Sequence, residues 1–192
     1  MAVLRRIILI AAAVSAVVVG SAEAQNTILR DGFYSTIGIG FGSAKFSCDQ
    51  CDGDRQSGVS GLFAIGTAID QPIIIGVELD FFYKSQDFED GWIATVTAFG
   101  QWYPASTGPF FVKGGLGLGS TKVTFETQTG EFDSRSKSGF GYMVAVGYDW
   151  RIGSALSLTP LVGWYGGSLG DADNITGLNV NVIQAILTVG FF

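Results

Sequence analysis

Histidine is missing from this chain of 192 residues, and charged residues make up only 15% of it, against about 25% in soluble domains. The missing imidazole excludes every mechanism that needs a histidine as base or metal ligand. Proline is scarce, with 4 residues beside 28 glycines, and the glycines have no three-residue period, which excludes a collagen-like fibre. The net charge of −6 argues against nucleic-acid binding. The whole chain is 47% hydrophobic, which is too apolar for a disordered protein.

The N-terminal residues have the layout of a secretory signal peptide. Arg5 and Arg6 precede an uncharged apolar stretch over residues 7–19, and residues 22–24 (Ala-Glu-Ala) are suited to cleavage. A transmembrane anchor is the alternative, but the apolar stretch is shorter than the about 20 residues that a spanning helix needs. The pattern therefore predicts a cleavable signal helix over residues 1–24.

The mature domain, residues 25–192, has apolar residues at alternate positions, and a period of two is typical of β-strands. In the clearest run, which begins at Ile73, one face carries only Ile, Val, Leu, Phe and Tyr. Eight such runs are present, each at least as long as the 9–11 residues with which a tilted strand crosses a bilayer. They cover residues 33–46, 57–68, 73–85, 92–103, 109–125, 139–150, 156–169 and 178–192.

The connections between these runs alternate in length. Short connections cover residues 69–72, 105–108 and 151–155, and mostly longer, acidic ones cover residues 47–56, 86–91, 126–137 and 170–177. This alternation, with an even strand number, is typical of bacterial outer-membrane barrels. A sheet in lipid must also close, because its backbone groups find no water there. The sequence therefore predicts an all-β fold: an eight-stranded antiparallel up-and-down transmembrane β-barrel with large apolar residues outside and glycine or small residues inside. A soluble periplasmic barrel is the alternative.

Aromatic residues lie near both ends of the runs, as in the two aromatic belts of membrane barrels. The predicted girdle contains Tyr83, Trp92, Trp102, Tyr103, Phe110, Trp150, Trp164 and Phe191. In the last run, Val180 and Val182 do not fit the outward face that Ile183 and Phe191 share. This break predicts either a β-bulge near Val182 or a strand end that leaves the membrane.

Three segments carry a resemblance to a known family. They are the opening Gly32-Phe33-Tyr34 with Gly38-Ile39-Gly40, the glycine-rich run Lys113-Gly114-Gly115-Leu116-Gly117-Leu118-Gly119, and the terminal Phe191-Phe192. The mature chain resembles the small outer-membrane β-barrel family, similar to the OmpA transmembrane domain and OmpX-type barrels. The resemblance implies location in the outer membrane of a Gram-negative bacterium and recognition of the C-terminal strand by the barrel-assembly machinery. It implies no particular chemistry.

A few charged residues fall on the inward faces of the runs. These lumenal ion-pair candidates are Glu78, Asp80, Lys84, Lys113 and Asp149. Buried charges need partners, so the preferred interpretation is an ion-pair network that plugs the barrel. Ion passage and carboxylate catalysis are the alternatives. Catalysis is disfavoured because barrel enzymes acting near pH 7 use an imidazole, so we expect no enzyme and no catalytic residues.

The predicted loops hold the two cysteines and most acidic residues. Cys48 and Cys51 predict a small disulfide, because export exposes them to an oxidising environment and the chain has no other Cys or His to complete a zinc site. The acidic loop residues are Asp49, Asp52, Asp54, Asp87, Glu89, Asp90, Glu126, Glu131, Asp133, Asp171 and Asp173, opposed by Arg55, Arg135 and Lys137. A solvated acidic surface is the first interpretation. A divalent-cation bridge to lipopolysaccharide is the alternative hypothesis.

These features predict a non-enzymatic, porin-like protein of the cell outer membrane with a largely packed lumen and a structural or loop-mediated binding role. A narrow channel for ions or small solutes is the alternative function. The expected partners are outer-membrane lipids, lipopolysaccharide and the barrel-assembly machinery. We expect a monomer with no nucleic-acid partner, no cofactor and no metal site.

Overall fold

The fold is a single antiparallel sheet, seen in a computed structural model that describes residues 30–48, 51–86, 89–126, 132–152, 155–172 and 175–192. No helix within these ranges is long and apolar enough to cross a bilayer. The eight long strands are β1 Gly32–Cys48, β2 Gln56–Asp70, β3 Ile73–Gln86, β4 Glu89–Trp102, β5 Phe110–Glu126, β6 Phe132–Tyr148, β7 Leu156–Ala172 and β8 Ile175–Phe191. Two short segments add to it: Cys51–Asp52 pairs with β1, and Trp150–Arg151 pairs with β7. The predicted signal helix lies outside the described residues.

The sheet closes on itself. Each long strand pairs antiparallel with the next one along the chain, and β8 pairs with both β7 and β1. The closing register runs without a break from Ser35 opposite Phe191 to Ser47 opposite Asn179. All eight predicted runs are strands in the structure, and the prediction of a closed eight-stranded barrel is confirmed.

The strands are longer than a bilayer requires. They contain 14–17 residues, against the 9–11 that a tilted strand needs to cross the hydrocarbon core. The prediction that residues 126–137 form a loop is wrong for residues 132–137, because β6 begins at Phe132 and pairs with the end of β5. The ladder therefore continues past the membrane at this end of the barrel, which we call the loop end. The opposite end, with both described termini, is called the short-turn end.

Apolar side chains cover the outside of the barrel. On β3 the outward residues from Ile73 to Tyr83 are 38–49% exposed, whereas Ile74, Glu78, Asp80 and Phe82 between them are buried. The same alternation leaves large aliphatic and aromatic side chains exposed on every long strand. A soluble monomer rarely exposes apolar patches beyond a few hundred Å², so this surface fits lipid.

The barrel interior is more apolar than the sequence predicted. Beside the expected glycines it contains large buried side chains, among them Tyr34, Leu62, Phe82, Ile93, Phe99, Tyr103, Phe111, Met143, Leu161 and Tyr165. Glycine makes room for them: a Cβ on Gly58 or Gly42 would lie 2.7 Å or 3.0 Å from the ring of Phe82. The expectation of small residues inside was therefore incomplete, because glycines on one strand accommodate large rings from the next.

Strand β8 has no bulge near Val182. Val180 and Val182 are fully buried, Ile183 is exposed, and the pairing with β7 shifts only between Ile175 and Asn179. The predicted bulge near Val182 is wrong, because the interior at this level is apolar. The two valines face it in regular alternation.

Candidate functional site

Arg30 lies across the short-turn end of the barrel, three residues before the first sequence segment that suggested a strand. Its guanidinium donates hydrogen bonds to the backbone oxygens of Ser106 (2.9 Å) and Gly108 (2.6 Å). It also stacks on Tyr103, with 3.2 Å between the guanidinium carbon and the ring centroid. Arg30 therefore ties the segment before β1 to the turn between β4 and β5.

Asp149 anchors the same group of side chains from the segment that follows β6. Its carboxylate accepts hydrogen bonds from the Tyr103 hydroxyl (2.8 Å) and the Thr159 hydroxyl (2.6 Å), and the Arg30 guanidinium lies 4.0 Å away. Gln101 donates in turn to the Tyr103 hydroxyl at 2.5 Å. We call Arg30, Gln101, Tyr103, Asp149 and Thr159 the plug. One buried carboxylate is thus met by one guanidinium and two hydroxyls.

A second polar group lies deeper in the barrel, around an ion pair. The Lys113 ammonium on β5 donates to the Glu78 carboxylate on β3, and both side chains are essentially inaccessible to solvent. The same ammonium lies 5.2 Å from the centre of the Phe99 ring, within reach of a cation–π interaction. The regular alternation of β3, β4 and β5 directs all three side chains inward.

Asp80, the second inward carboxylate of β3, accepts a hydrogen bond from a neutral amide. Its Oδ1 accepts a hydrogen bond from the Gln184 amide at 2.7 Å, and the Gln184 carbonyl accepts one from the Ser60 hydroxyl at 2.5 Å. The hydroxyl of Tyr165 lies 3.5 Å from that of Ser60. We call Ser60, Glu78, Asp80, Lys113 and Gln184 the central cluster. It contains two carboxylates and one ammonium.

Several buried oxygens beside the central cluster make no hydrogen bond within the protein. They are Oε1 of Glu78, Oδ2 of Asp80 and the hydroxyls of Thr95 and Thr97. In the sheet register Thr97 lies opposite Glu78 and Thr95 lies opposite Asp80. Buried polar groups are normally paired with protein or an ordered ligand, so these four oxygens mark the least satisfied part of the interior.

The structure brings together only some of the predicted lumenal charges. Glu78, Asp80 and Lys113 share the central cluster, and Asp149 belongs to the plug. Lys84 takes part in neither, because it lies higher on β3 and donates to Gln56 at 2.8 Å in an exposed position. Lys84 therefore does not belong to the lumenal ion-pair network, and its prediction as a member is wrong.

Sequence reasoning missed the neutral and terminal members of both groups. Gln101 and Gln184 lie on inward faces, so their alternation with outward apolar residues could have identified them. Arg30 had no such signal, because it precedes the first strand and belongs to no periodic run. Its role is visible only once the chain folds over the short-turn end.

Most members of the predicted aromatic girdle lie on the outer surface of the barrel. Exposed outward side chains include Tyr83, Trp92, Trp102, Phe110, Trp164 and Phe191, and Trp150 is half-buried. Tyr103 is fully buried in the plug, so its assignment to the girdle is wrong. Trp102 already takes the outward position at the end of β4, and the next side chain must therefore point inward.

The loop end carries the cysteines and many acidic residues. Cys48 ends β1, lies opposite Cys51 in the backbone pairing and is disulfide-bonded. The side chain of Cys51 lies outside the described residues, so the pairing of these two cysteines stays a prediction. Asp49, Asp87, Glu131 and Asp173 also lie outside them. Within the described part of the chain, no group of three or more His, Cys, Asp or Glu side chains could hold a metal ion.

A closed sheet with apolar side chains on its outer face defines a class of protein, the transmembrane β-barrel. The chain matches the model of the outer membrane protein beta-barrel domain over residues 10–191, and it belongs to this family. The predicted resemblance is thereby confirmed. The chain is therefore a protein of the bacterial outer membrane.

Solved structures share the fold. Neisserial surface protein A aligns with a TM-score of 0.59 and 15% identity, over 85% of this chain and 98% of that chain. Ail, the attachment invasion locus protein of Yersinia pestis, aligns with a TM-score of 0.59 and 16% identity, over 84% and 98%. These identities show similarity of fold alone. No curated protein sequence matches this chain significantly.

Proposed function

We propose that this protein is a non-enzymatic outer-membrane barrel that is sealed through its interior and binds partners at its loop end. The observation that supports a sealed interior is the stacking of buried side chains along the barrel. Arg30 and Tyr103 lie across the short-turn end, and Glu78 and Lys113 lie buried in the middle. Phe82, with other buried apolar side chains, fills the level above. An eight-stranded barrel is only wide enough to be filled by side chains.

The same packing supports a non-enzymatic role. Glu78 and Asp80 are the carboxylate pair of the central cluster, and both are fully buried between the plug and the apolar level around Phe82. A general acid or base must come within hydrogen-bond reach of its substrate, and a lipid or peptide has no route to these carboxylates. The chain also has no histidine to take over proton transfer.

The loop end is the surface left for binding, and its charge defines the class of partner. The predicted loops contain more acidic than basic residues, and six of the acidic ones extend the strands of the structure. Those six are Asp52, Glu89, Asp90, Glu126, Asp133 and Asp171. Opposite charges attract and steer association, so the acidic loop end of this protein favours a partner that presents positive charge. The expected partner differs from the ligand with which Ail has been crystallised, the heparin analogue sucrose octasulfate, which is a polyanion.

Other partners are proposed from the outer surface. The exposed apolar bands meet outer-membrane lipids, and β8 presents Ile183, Leu187, Val189 and Phe191 outward as the strand that the barrel-assembly machinery reads. We also propose that a divalent cation can link the acidic loop end to lipopolysaccharide. A closed barrel has no free strand edge for pairing with a second copy, which supports a monomer.

The sealed interior is tested by electrical recording. The protein, extracted from the outer membrane in detergent, is added to a planar lipid bilayer beside a general-diffusion porin as the positive control. We expect no stepwise conductance from this protein under conditions where the porin conducts. Reproducible cation-selective steps that disappear on replacing Glu78 with Gln would instead support the narrow channel.

The charge of the partner is tested by retention on resins. We expect the detergent-solubilised protein to bind immobilised polylysine at low salt and to pass through immobilised heparin. Replacing Asp171 with Asn together with Asp133 with Asn should weaken retention on polylysine, whereas replacing the barrel-interior Asp149 with Asn should not. Equal retention on both resins, or tighter binding to heparin, would contradict the proposed class of partner.

A further inference from the structure

We propose a binding site for one small monovalent cation, such as sodium, inside the barrel. Its ligands are side-chain oxygens of Glu78, Asp80, Thr95 and Thr97. The sequence predicted no metal site, and nothing in the proposed function requires one. The site is inferred from the geometry and the charge of the barrel interior.

The geometry is set by two cross-strand pairs. Glu78 lies opposite Thr97, and Asp80 lies opposite Thr95, on the inward faces of β3 and β4. Directly opposed residues have Cβ atoms about 4.5–5.5 Å apart, and two residues along a strand span about 7 Å. The four side chains therefore line one small volume of the interior from the same side of the barrel wall.

The oxygens that line this volume are unpartnered. One oxygen of each carboxylate and both threonine hydroxyls are buried without a hydrogen bond to protein, and Thr95 and Thr97 are only 1% and 0% exposed. A threonine hydroxyl can donate to a carboxylate, yet neither hydroxyl is positioned to do so. A species that accepts oxygen ligands from both strands would satisfy all four atoms.

The charge balance favours a cation in that position. The central cluster holds Glu78 and Asp80 against Lys113, whose ammonium is directed to the other oxygen of Glu78. Oδ1 of Asp80 accepts a hydrogen bond from the neutral amide of Gln184. With both carboxylates ionised, one negative charge is left over in a buried setting, where charges are normally paired or coordinate metals. A monovalent ion neutralises it, whereas a divalent ion would leave an excess positive charge.

Hard cations take carboxylate and hydroxyl oxygens as ligands, which matches the four available atoms. A water molecule would form hydrogen bonds with these oxygens but would leave the negative charge uncompensated. A proton shared with Asp80 would cancel the charge and leave the two hydroxyls without a partner. Of the three, a cation answers both observations at once.

The experiment measures unfolding of the detergent-solubilised protein in urea at constant ionic strength, with sodium progressively replacing choline. A ligand bound only by the folded state stabilises it in proportion to the logarithm of its concentration. Above the dissociation constant, each tenfold rise in sodium should therefore lower the unfolding equilibrium constant about tenfold. Choline is too large to enter the site and serves as the inert counterion.

Two conservative variants identify the site. We expect Thr97→Val and Thr95→Val to fold and to lose most of this sodium dependence, because each removes one ligand oxygen at nearly constant volume. Thr188→Val is the matched control. Thr188 is also a buried threonine of the interior, but its hydroxyl is directed to the backbone oxygen of Thr159. It should keep the full sodium dependence.

Asp80→Asn removes the unbalanced charge and should abolish the sodium response. If that variant fails to fold, the two valine variants still decide the question. A wild-type protein whose stability ignores sodium would overturn the proposal in favour of water or a shared proton. A sodium response that persists unchanged in Thr97→Val and Thr95→Val would place the ion elsewhere and also overturn it.

Discussion

The buried pair of Lys113 and Glu78 allows a prediction of defined size. Replacing Lys113 with Met removes the ammonium from a position that is 1% exposed and leaves a fully buried carboxylate behind. Removing one partner of a buried ion pair costs about 3–5 kcal/mol. The same substitution removes the cation–π contact between Lys113 and Phe99, and the cost of losing it is included in that range. The variant should lose a large share of the about 5–15 kcal/mol typical of folded proteins.

The second replacement distinguishes charge from packing. Adding Glu78→Gln to Lys113→Met removes the unpaired charge, and neutral replacements of a whole buried pair are often close to neutral in stability. We therefore expect the double variant to recover most of the lost stability. If the loss came from side-chain volume alone, the second change would add to the first.

The assay is urea unfolding in detergent, followed by tryptophan fluorescence and by the gel mobility of the folded barrel. With a slope of about 1–3 kcal/mol per molar urea, the single variant should unfold at least about 1 M earlier. Lys84→Met is the control, because Lys84 makes an exposed hydrogen bond to Gln56 and should cost no more than about 1 kcal/mol. A Lys113→Met protein with the wild-type midpoint, or a double variant no more stable than the single, would refute the ion-pair interpretation.

Three further predictions follow from the plug, the girdle and the loop end. Tyr103→Phe removes a hydroxyl that donates to Asp149 and should cost about 1–3 kcal/mol in the same urea assay; an unchanged midpoint would contradict its place in the plug. Trp102→Phe should reduce the part of the tryptophan fluorescence that brominated lipids quench, because Trp102 lies on the outer surface, and an unchanged quenched part would contradict that orientation. Cys48 and Cys51 should resist alkylation until a reductant is added, and labelling of the native protein would exclude the disulfide.

The sequence predicted the barrel wall well, because the lipid-facing pattern is repeated in every strand. The run from Ile73 to Tyr83 shows why: each second residue must be apolar to meet lipid. A period of two therefore survives even where glycine or charge interrupts the other face. Strand number and closure follow from the same constraint on backbone hydrogen bonds in lipid.

The interior was harder to predict, because no repeated rule governs it. The position of Tyr103 beside Trp102 suggests an aromatic belt, but neighbours on a strand point to opposite faces. The pattern at Val182 predicts either a bulge or a strand end that leaves the membrane only if the interior is small and polar. Which large ring fits against which glycine depends on strand register, and register is fixed by pairing of the whole sheet.

The hydrogen bonds of the central cluster connect distant parts of the chain. Ser60 on β2 and Asp80 on β3 meet through Gln184 on β8, so the first half of the chain is joined to its last strand. These bonds cannot form while the barrel is still open, because β8 arrives last along the chain. Ring closure and completion of the central cluster should therefore be one late event in assembly, and substitutions of Gln184 should accelerate opening of the finished barrel far more than they slow pairing of the early hairpins.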